Sequence, residues 1–196
     1  MHLIRILLVA LSGLGALTSS SAAAPAFEGR WASAEFRATV AGTSTLHDWS
    51  VESTSAVGEI DTTNPAAIRG SLRLAAKSLV NESDGLNSRM YAALKSEAYP
   101  QIKFEALAVD RPADPMVPGV AQTWSVRGSL ILSGATRELT LVTRTTLRPD
   151  GTLLLEMETP LKMTDFGIKP PTFMGMVRTG DPVTIKIRWL LNRSTP

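Results

Sequence analysis

Hydrophobic and polar residues alternate along most of the chain after about residue 35. The last segment shows the pattern most clearly, because Val183, Ile185 and Ile187 fall on one face and Thr184 and Lys186 on the other. Such alternation is typical of strands that bury one face and expose the other. The predicted strands, eight in all, cover about residues 35–42, 49–61, 68–74, 102–106, 124–132, 139–145, 153–158 and 183–191.

Turn-forming residues separate most of these strands. The clearest are Asn64-Pro65, the proline-rich stretch 112–119, Ser133-Gly134 and the segment 180–182. No gap between strands has room for a series of crossover helices, which favours an antiparallel sheet over a parallel one. The fold class is therefore all-β with one short helix. An eight-stranded sheet can close into a barrel, whose interior is either filled by side chains or holds one small ligand.

The one predicted helix covers about residues 88–98. Asn87 precedes it and can cap its first turn, since a side-chain oxygen there accepts a free backbone N–H. Pro100 follows the helix and returns the chain to an extended conformation. Three apolar side chains share one face of this segment: Leu86, Met90 and Leu94.

The first 26 residues have the layout of a secretory signal peptide. A short positive start (1–5) is followed by an apolar run (6–18) and by small residues (19–26). Cleavage after Ala23 and cleavage after Ala26 both satisfy the small-residue rule. An uncleaved N-terminal anchor is the alternative, although the apolar run is short for a membrane span.

Export would leave one domain, residues 27–196, of about 170 residues. The full chain has 20 basic and 18 acidic residues, and removal of Arg5 lowers its net charge from +2 to +1. So small a charge excludes the basic surface of a nucleic-acid-binding protein. The chain has no cysteine, which excludes disulfides, Cys-ligated metal sites, a thiol nucleophile and a lipoprotein anchor.

Candidate catalytic groups are few. Without the leader, His47 is the single histidine, and its neighbours Asp48, Ser44 and Ser50 offer the residue types of a hydrolytic triad. Adjacent His and Asp side chains point in different directions, however, and no Gly-x-Ser-x-Gly motif is present. No spacing typical of a zinc or calcium site occurs either. We therefore predict a protein that is not an enzyme and that has no metal site and no cofactor.

Five segments, in this order, resemble the YceI-like family of exported bacterial lipid-binding proteins. They are GTSTLHDW (42–49), YPQIKF (99–104), GSLILSGATR (128–137), DFGI (165–168) and GDPVTI (180–185). The resemblance implies an eight-stranded antiparallel, lipocalin-like β-barrel in the periplasm. It also implies that the lumen binds an amphiphilic or isoprenoid lipid, such as an isoprenoid quinone or a polyprenyl phosphate.

The chain departs from the commonest family pattern twice. NSRMY (87–91) replaces the usual Arg-Asp-x-His-Leu run before the helix, and the first strand ends on Thr-Leu-His-Asp-Trp rather than a simpler His-Ser opening. Both departures fall where the resemblance places the mouth of the barrel, so they bear on the choice of head group.

The resemblance suggests three groups of ligand-binding residues. The candidates for the wall of the lumen are Ile102, Phe104, Trp124, Val126, Leu141, Leu155, Ile185 and Ile187, joined by Met90 and Leu94 from the helix. The stretch 164–177 is apolar and rich in proline without strand alternation, which fits either a lip or lid over the lumen or a loop that plugs its own end of the barrel. Its candidates are Phe166, Ile168, Phe173, Met174 and Met176. The head-group candidates are His47, Arg89 and Arg178, with Lys95 and Lys169 as further cations.

Two other functions remain open from the sequence. The wall candidates are equally compatible with an ordinary side-chain-filled core, in which case the domain is a structural or stress-related envelope interaction module. A hydrolase or isomerase that uses His47 and Asp48 on a lumen-bound lipid is the third hypothesis. The sequence also leaves open whether the chain forms a homodimer.

Overall fold

A computed structural model describes residues 27–173 and 176–194. The strands are β1 (Arg30–Ser44), β2 (Trp49–Ser53), β3 (Val57–Asp61), β4 (Arg69–Ala75), β5 (Gln101–Asp110), β6 (Ala121–Leu132), β7 (Ala135–Leu147), β8 (Leu153–Lys162), β9 (Thr172–Phe173) and β10 (Val177–Ser194). All eight predicted strands are present, and most extend beyond the alternating core of their sequence pattern because backbone pairing continues past it.

The strands close into an antiparallel barrel. Consecutive neighbours run from β3 through β8 to β10, and β10 pairs with β1 along nearly its whole length. On its other side β1 pairs with β2 at one end and with β3 at the other. Residues 54–56 interrupt what is otherwise one strand, so β2 and β3 together occupy a single position and the barrel has eight. The predicted fold class is confirmed.

The two ends of the barrel differ in how they are packed. At the closed end, where β1 begins and β10 finishes, Trp31, Leu147, Leu153 and Leu191 are all 0% exposed. At the open end, where β1 finishes and β10 begins, the chain adds its helix and the segment that follows β8.

The helix α1 (Asp84–Ala93) begins four residues before the predicted start. Ser83 caps it, since its side chain accepts a hydrogen bond from the backbone N–H of Leu86. Asn87, predicted as the cap, lies within the helix and uses both side-chain atoms on Asn81: Oδ1 accepts from the Asn81 N–H and Nδ2 donates to the Asn81 carbonyl oxygen. The predicted cap was wrong because Asn87 satisfies the preceding loop rather than the first turn.

The end of the chain also differs from its sequence pattern. The segment 180–182, predicted as a turn, lies inside β10, which begins at Val177. Pro182 is tolerated there because the pairing with β1 shifts register between Gly42 and Ser44, where residues 180–182 of β10 form the bulge. The stretch predicted as irregular contains the short strand β9, which pairs with the start of β10.

The predicted signal peptide lies outside the described residues. Within residues 27–173 and 176–194, no helix is long and apolar enough to cross a membrane.

Candidate functional site

A large cavity occupies the open half of the barrel. Its volume is about 740 Å³, which is within the ~300–1,000 Å³ range of ligand pockets in proteins. Inward-facing side chains of the barrel strands line it, and most of them are apolar. Because successive side chains of a strand point to opposite faces, most strands contribute mainly alternate residues, although Arg69 and Ser71 of β4 and Lys103 of β5 are also among the lining residues.

All eight wall candidates line this cavity. Trp124, Val126, Leu141 and Leu155 are buried, with 1–8% of their surface exposed. The other four, Ile102, Phe104, Ile185 and Ile187, also face inward but are only half-buried. An inward-facing side chain that keeps accessible surface must border open space, so the barrel is not filled at this end. Their role in binding a ligand remains a prediction.

Helix α1 covers part of the mouth. Leu86, Met90 and Leu94 line the cavity, as the shared apolar face predicts. No residue of α1 is buried, however, because this face lies over the cavity rather than on packed side chains. The hydroxyl of Tyr91 donates to the Leu79 carbonyl oxygen at 2.8 Å and ties the helix to the preceding segment.

The segment after β8 forms a lip on the opposite side of the mouth. A single 3₁₀ turn (Met163–Phe166) brings Phe166 to the cavity wall, where it is 3% exposed. The Asp181 carboxylate holds this turn, accepting from the Thr164 N–H at 2.9 Å and from the Thr164 hydroxyl at 2.7 Å. These two hydrogen bonds lower the pKa of Asp181 below its usual value.

The other lip candidates have different positions. Ile168 is buried at 3% exposure and lines the cavity, whereas Met176 is 75% exposed. Phe173 lies in β9, where its backbone pairs with Val177. Met174 lies outside the described residues.

Two of the three head-group candidates are at the mouth. His47 and Arg89 both line the cavity and are exposed to solvent. Arg178 is not among the lining residues; its strand neighbours Val177 and Thr179 are, and side chains alternate between the two faces of a strand, so Arg178 points outward. The further cations Lys95 and Lys169 do not line the cavity either.

The candidate triad does not assemble. The Nδ1 atom of His47 is 2.8 Å from the backbone carbonyl oxygen of Asp48, not from its carboxylate. The Ser44 hydroxyl donates to the carbonyl oxygen of His47 at 2.6 Å. These side chains therefore stabilise a loop and do not form an acid–base pair. In the described part of the chain, no group of three or more His, Asp and Glu side chains could hold a metal ion.

Comparison with known proteins assigns the barrel to a family. The sequence model of the YceI-like domain matches residues 20–190. The chain belongs to the YceI-like family. No curated protein matches it in sequence.

Solved structures share the YceI-like fold at low sequence identity. BcnA of Burkholderia cenocepacia has a TM-score of 0.65 and 16% identity, over 79% of this chain and 95% of its own. A polyisoprenoid-binding domain from Saccharophagus degradans, implicated in plant cell wall breakdown, has a TM-score of 0.65 and 14% identity. The match covers 85% of this chain and 99% of that domain. A YceI protein of Campylobacter jejuni has a TM-score of 0.55 and 14% identity, over 72% of this chain and 82% of its own.

Several lining residues of this YceI-like barrel were missed in the sequence. They include Phe36, Leu130, Leu132, Leu139, Met157, Leu161, Val183 and Trp189. Most follow the same alternation as a candidate on their own strand, so extending each pattern to the strand end would have found them. Leu161 follows the Thr159-Pro160 pair, at which the predicted strand stopped too early.

Proposed function

We propose that this protein binds an isoprenoid lipid in the cavity of its open half and carries or sequesters it without chemical change. The observation that supports this most strongly is the cavity of about 740 Å³ with apolar walls in a YceI-like barrel. The Saccharophagus degradans domain with the same fold is a polyisoprenoid-binding domain, which supports the same class of ligand here.

The free energy of binding would come mainly from apolar contact. Burial of apolar surface contributes about 25 cal/mol per Å², and a long isoprenoid chain offers several hundred Å². Ordering of the flexible chain and loss of its translational freedom offset much of this gain. The ligand therefore has to be long and apolar, with its polar end free to reach either His47 and Arg89 at the mouth or a polar group inside.

Tryptophan fluorescence tests the proposal directly, because Trp124 and Trp189 line the cavity. Titration with an isoprenoid quinone or a polyprenyl phosphate should quench the fluorescence in a saturable way. Ile185→Asn should weaken binding by about tenfold or more, since it places an amide on the cavity wall. Lys186→Asn, the next residue on the outer face, should bind like wild type. Absence of saturable quenching by both lipids would contradict the proposal.

The place of action is the periplasm in this proposal. The signal-peptide pattern of the first 26 residues supports export, and fractionation of the native cells would test it. A structural interaction module would need a filled barrel, and the cavity argues against that version. A homodimer remains a prediction, which sedimentation with and without bound lipid would test.

A further inference from the structure

Two large apolar side chains protrude together at the mouth of the barrel. Among residues 27–173 and 176–194 they are the most exposed of their kind: Leu46, in the loop between β1 and β2, at 71%, and Met176, directly before β10, at 75%. Thr45 joins their loops, because its N–H donates to the Arg178 carbonyl oxygen at 3.0 Å and its hydroxyl to the Met176 carbonyl oxygen at 3.3 Å. Leu46 and Met176, here called the rim pair, are therefore neighbours on a hydrogen-bonded backbone.

The rim pair is continuous with the apolar wall of the cavity. Leu46 is among the lining residues as well as being exposed, and Val177, which follows Met176, also lines the cavity. A comparable pair of exposed valines, Val117 and Val120, lies in the loop between β5 and β6 at the closed end, and neither of them lines the cavity. Only the rim pair thus connects the outside of the barrel with its interior by an apolar surface.

A third partly apolar group lies across the mouth from the rim pair. Tyr99, directly before β5, is 43% exposed and packs on the hairpin between β6 and β7, where a Cβ atom at Gly134 would lie 2.4 Å from its ring. In the strand order, β5 and β6 are on the far side of the barrel from β1 and β10. Tyrosine combines an apolar ring with a polar hydroxyl, which suits a boundary between hydrocarbon and water.

The outer face of the barrel wall is polar in comparison. Ion pairs between neighbouring strands cover it, among them Arg127–Glu138, Arg144–Glu156 and Lys186–Glu158. An apolar phase would therefore be met by the mouth of the barrel and not by its side.

The size of the rim pair favours a lipid bilayer over a second protein. A stable protein–protein interface buries about 800 Å² on each partner, which two aliphatic side chains and one ring cannot supply. A bilayer needs no matching surface, since each apolar side chain that enters the hydrocarbon contributes its own transfer free energy.

Charged groups around the rim pair balance one another. The loop 45–48 and the segment 162–181 contain, besides His47, three acidic and three basic residues: Asp48, Asp165, Asp181, Lys162, Lys169 and Arg178. Attraction to an anionic lipid surface is therefore small, and contact with a bilayer has to come from the apolar side chains.

We propose that the mouth of the barrel docks on the surface of a lipid bilayer, with Leu46 and Met176 inserted among the acyl chains and Tyr99 at the interface on the opposite side. Docking in this orientation places the opening of the cavity against the phase in which an isoprenoid lipid dissolves. A ligand then enters along the apolar surface of the rim pair without crossing water. That use of the docked state rests on the proposed function.

The test compares two double variants of the protein purified from the native host. Leu46→Ser with Met176→Ser removes the rim pair, and Val117→Ser with Val120→Ser removes the valines of the closed end, which are 56% and 55% exposed. Flotation with phosphatidylcholine vesicles measures binding. The rim variant should bind about tenfold or more weakly than wild type, because two inserted apolar side chains are lost. The closed-end variant should bind like wild type, and sodium chloride at high concentration should not release either protein.

A fluorescent label reports which end contacts the bilayer. The chain has no cysteine, so Leu46→Cys and Val117→Cys each carry a polarity-sensitive fluorophore at one known position. Vesicles should shift the emission of the Leu46→Cys label to shorter wavelength and leave that of the Val117→Cys label unchanged. Urea unfolding of both double variants should resemble that of wild type, because all four side chains are exposed.

Several results would overturn the docking surface. They are equal flotation of wild type and both double variants, release by high salt, or a shift of both labels. A wild-type dimer that the rim variant converts to a monomer would instead assign the rim pair to contact between two copies. Wild type whose tryptophan fluorescence is quenched by an isoprenoid quinone but that does not float would overturn docking alone. Wild type that floats but takes up no isoprenoid lipid would overturn the proposed function alone.

Discussion

The closed and open ends of the barrel are built from the same strands but packed in opposite ways. At the closed end Trp31 is fully buried, and its indole N–H donates to the Phe27 carbonyl oxygen and to the Thr62 hydroxyl. At the open end inward-facing aliphatic residues such as Ile102 and Ile185 keep part of their surface accessible. The closed end therefore stabilises the fold, and the open end is available to a ligand.

Stability and binding are therefore assigned to different ends of one barrel. Side chains at the closed end contact packed neighbours on all sides, so their loss leaves a void. Side chains at the open end already border a void, so truncating them should lower the free energy of unfolding less. Variants at matched inward positions test whether the two ends differ in this way.

The largest expected effect is that of Trp31→Ala. Removal of this indole should lower the free energy of unfolding by about 3–5 kcal/mol, because it leaves a cavity in a packed region and removes the hydrogen bonds of the indole N–H. Ile185→Ala, at an inward position of the open half, should lower the free energy of unfolding by less than half of that amount. Urea unfolding of both variants measures the difference. Equal losses would contradict the division into two ends.

The next effect concerns binding without loss of fold. Ala106→Trp should fill part of the cavity that Ala106 lines and weaken lipid binding by about tenfold or more, with a change in unfolding free energy below ~1.5 kcal/mol. Val142→Trp, at an outward position that is 60% exposed, is the control and should bind normally. Isothermal titration and urea unfolding measure the two quantities.

Ala106 is the better position for this test than Gly128. A Cβ atom at Gly128 would lie 2.2 Å from the Phe104 ring and 2.7 Å from the Glu105 carbonyl oxygen, so any side chain there disturbs the backbone. If Ala106→Trp binds lipid as tightly as wild type, the ligand does not occupy the cavity.

A smaller effect is expected at the lip. Asp181 holds the 3₁₀ turn through Thr164, and its pKa in the folded protein is lowered. Its contribution to stability is therefore complete above its usual pKa and is lost as the pH falls through the lowered value. Asp181→Asn should speed hydrogen exchange of the turn at neutral pH and remove this acid-dependent component. Asp165→Asn, at an exposed position in the same turn, is the control. Unchanged exchange in Asp181→Asn would show that these bonds do not hold the lip.

The smallest effect is expected at the hairpin between β6 and β7. Ser133 has φ of 52° and a buried hydroxyl that has no hydrogen-bond partner among the described residues. Ser133→Gly should raise the free energy of unfolding by about 0.5–1 kcal/mol, because glycine adopts positive φ without strain and leaves no donor unpaired. At the closed-end hairpin, Asp150 already accepts from Thr152, and Asp150→Ala should destabilise the protein. A loss of stability in Ser133→Gly would mean that the hydroxyl has a role in the native protein.

More of the fold than of the candidate site could be predicted from the sequence. The alternation on strands such as β10 depends only on which face of each strand is buried, so it predicts all eight barrel strands. It does not distinguish Leu191, which is packed, from Ile185, which borders the cavity, because both are apolar inward residues of one strand. That distinction depends on the side chains opposite them, which come from distant parts of the chain.

Local hydrogen bonds limited the prediction elsewhere. The helix start was misplaced because Asn87 has a capping side chain but uses it on Asn81. The outward direction of Arg178 depends on β10 beginning at Val177 rather than after Pro182.

The proposed function depends most directly on whether the open half of the barrel carries a lipid. Native mass spectrometry of wild type and Ala106→Trp, purified without detergent from the native host, tests this claim. We expect one isoprenoid lipid per wild-type chain, released as an extractable molecule, and a folded variant with little or none. A wild-type chain with no bound lipid, or equal lipid on both proteins, would contradict the account.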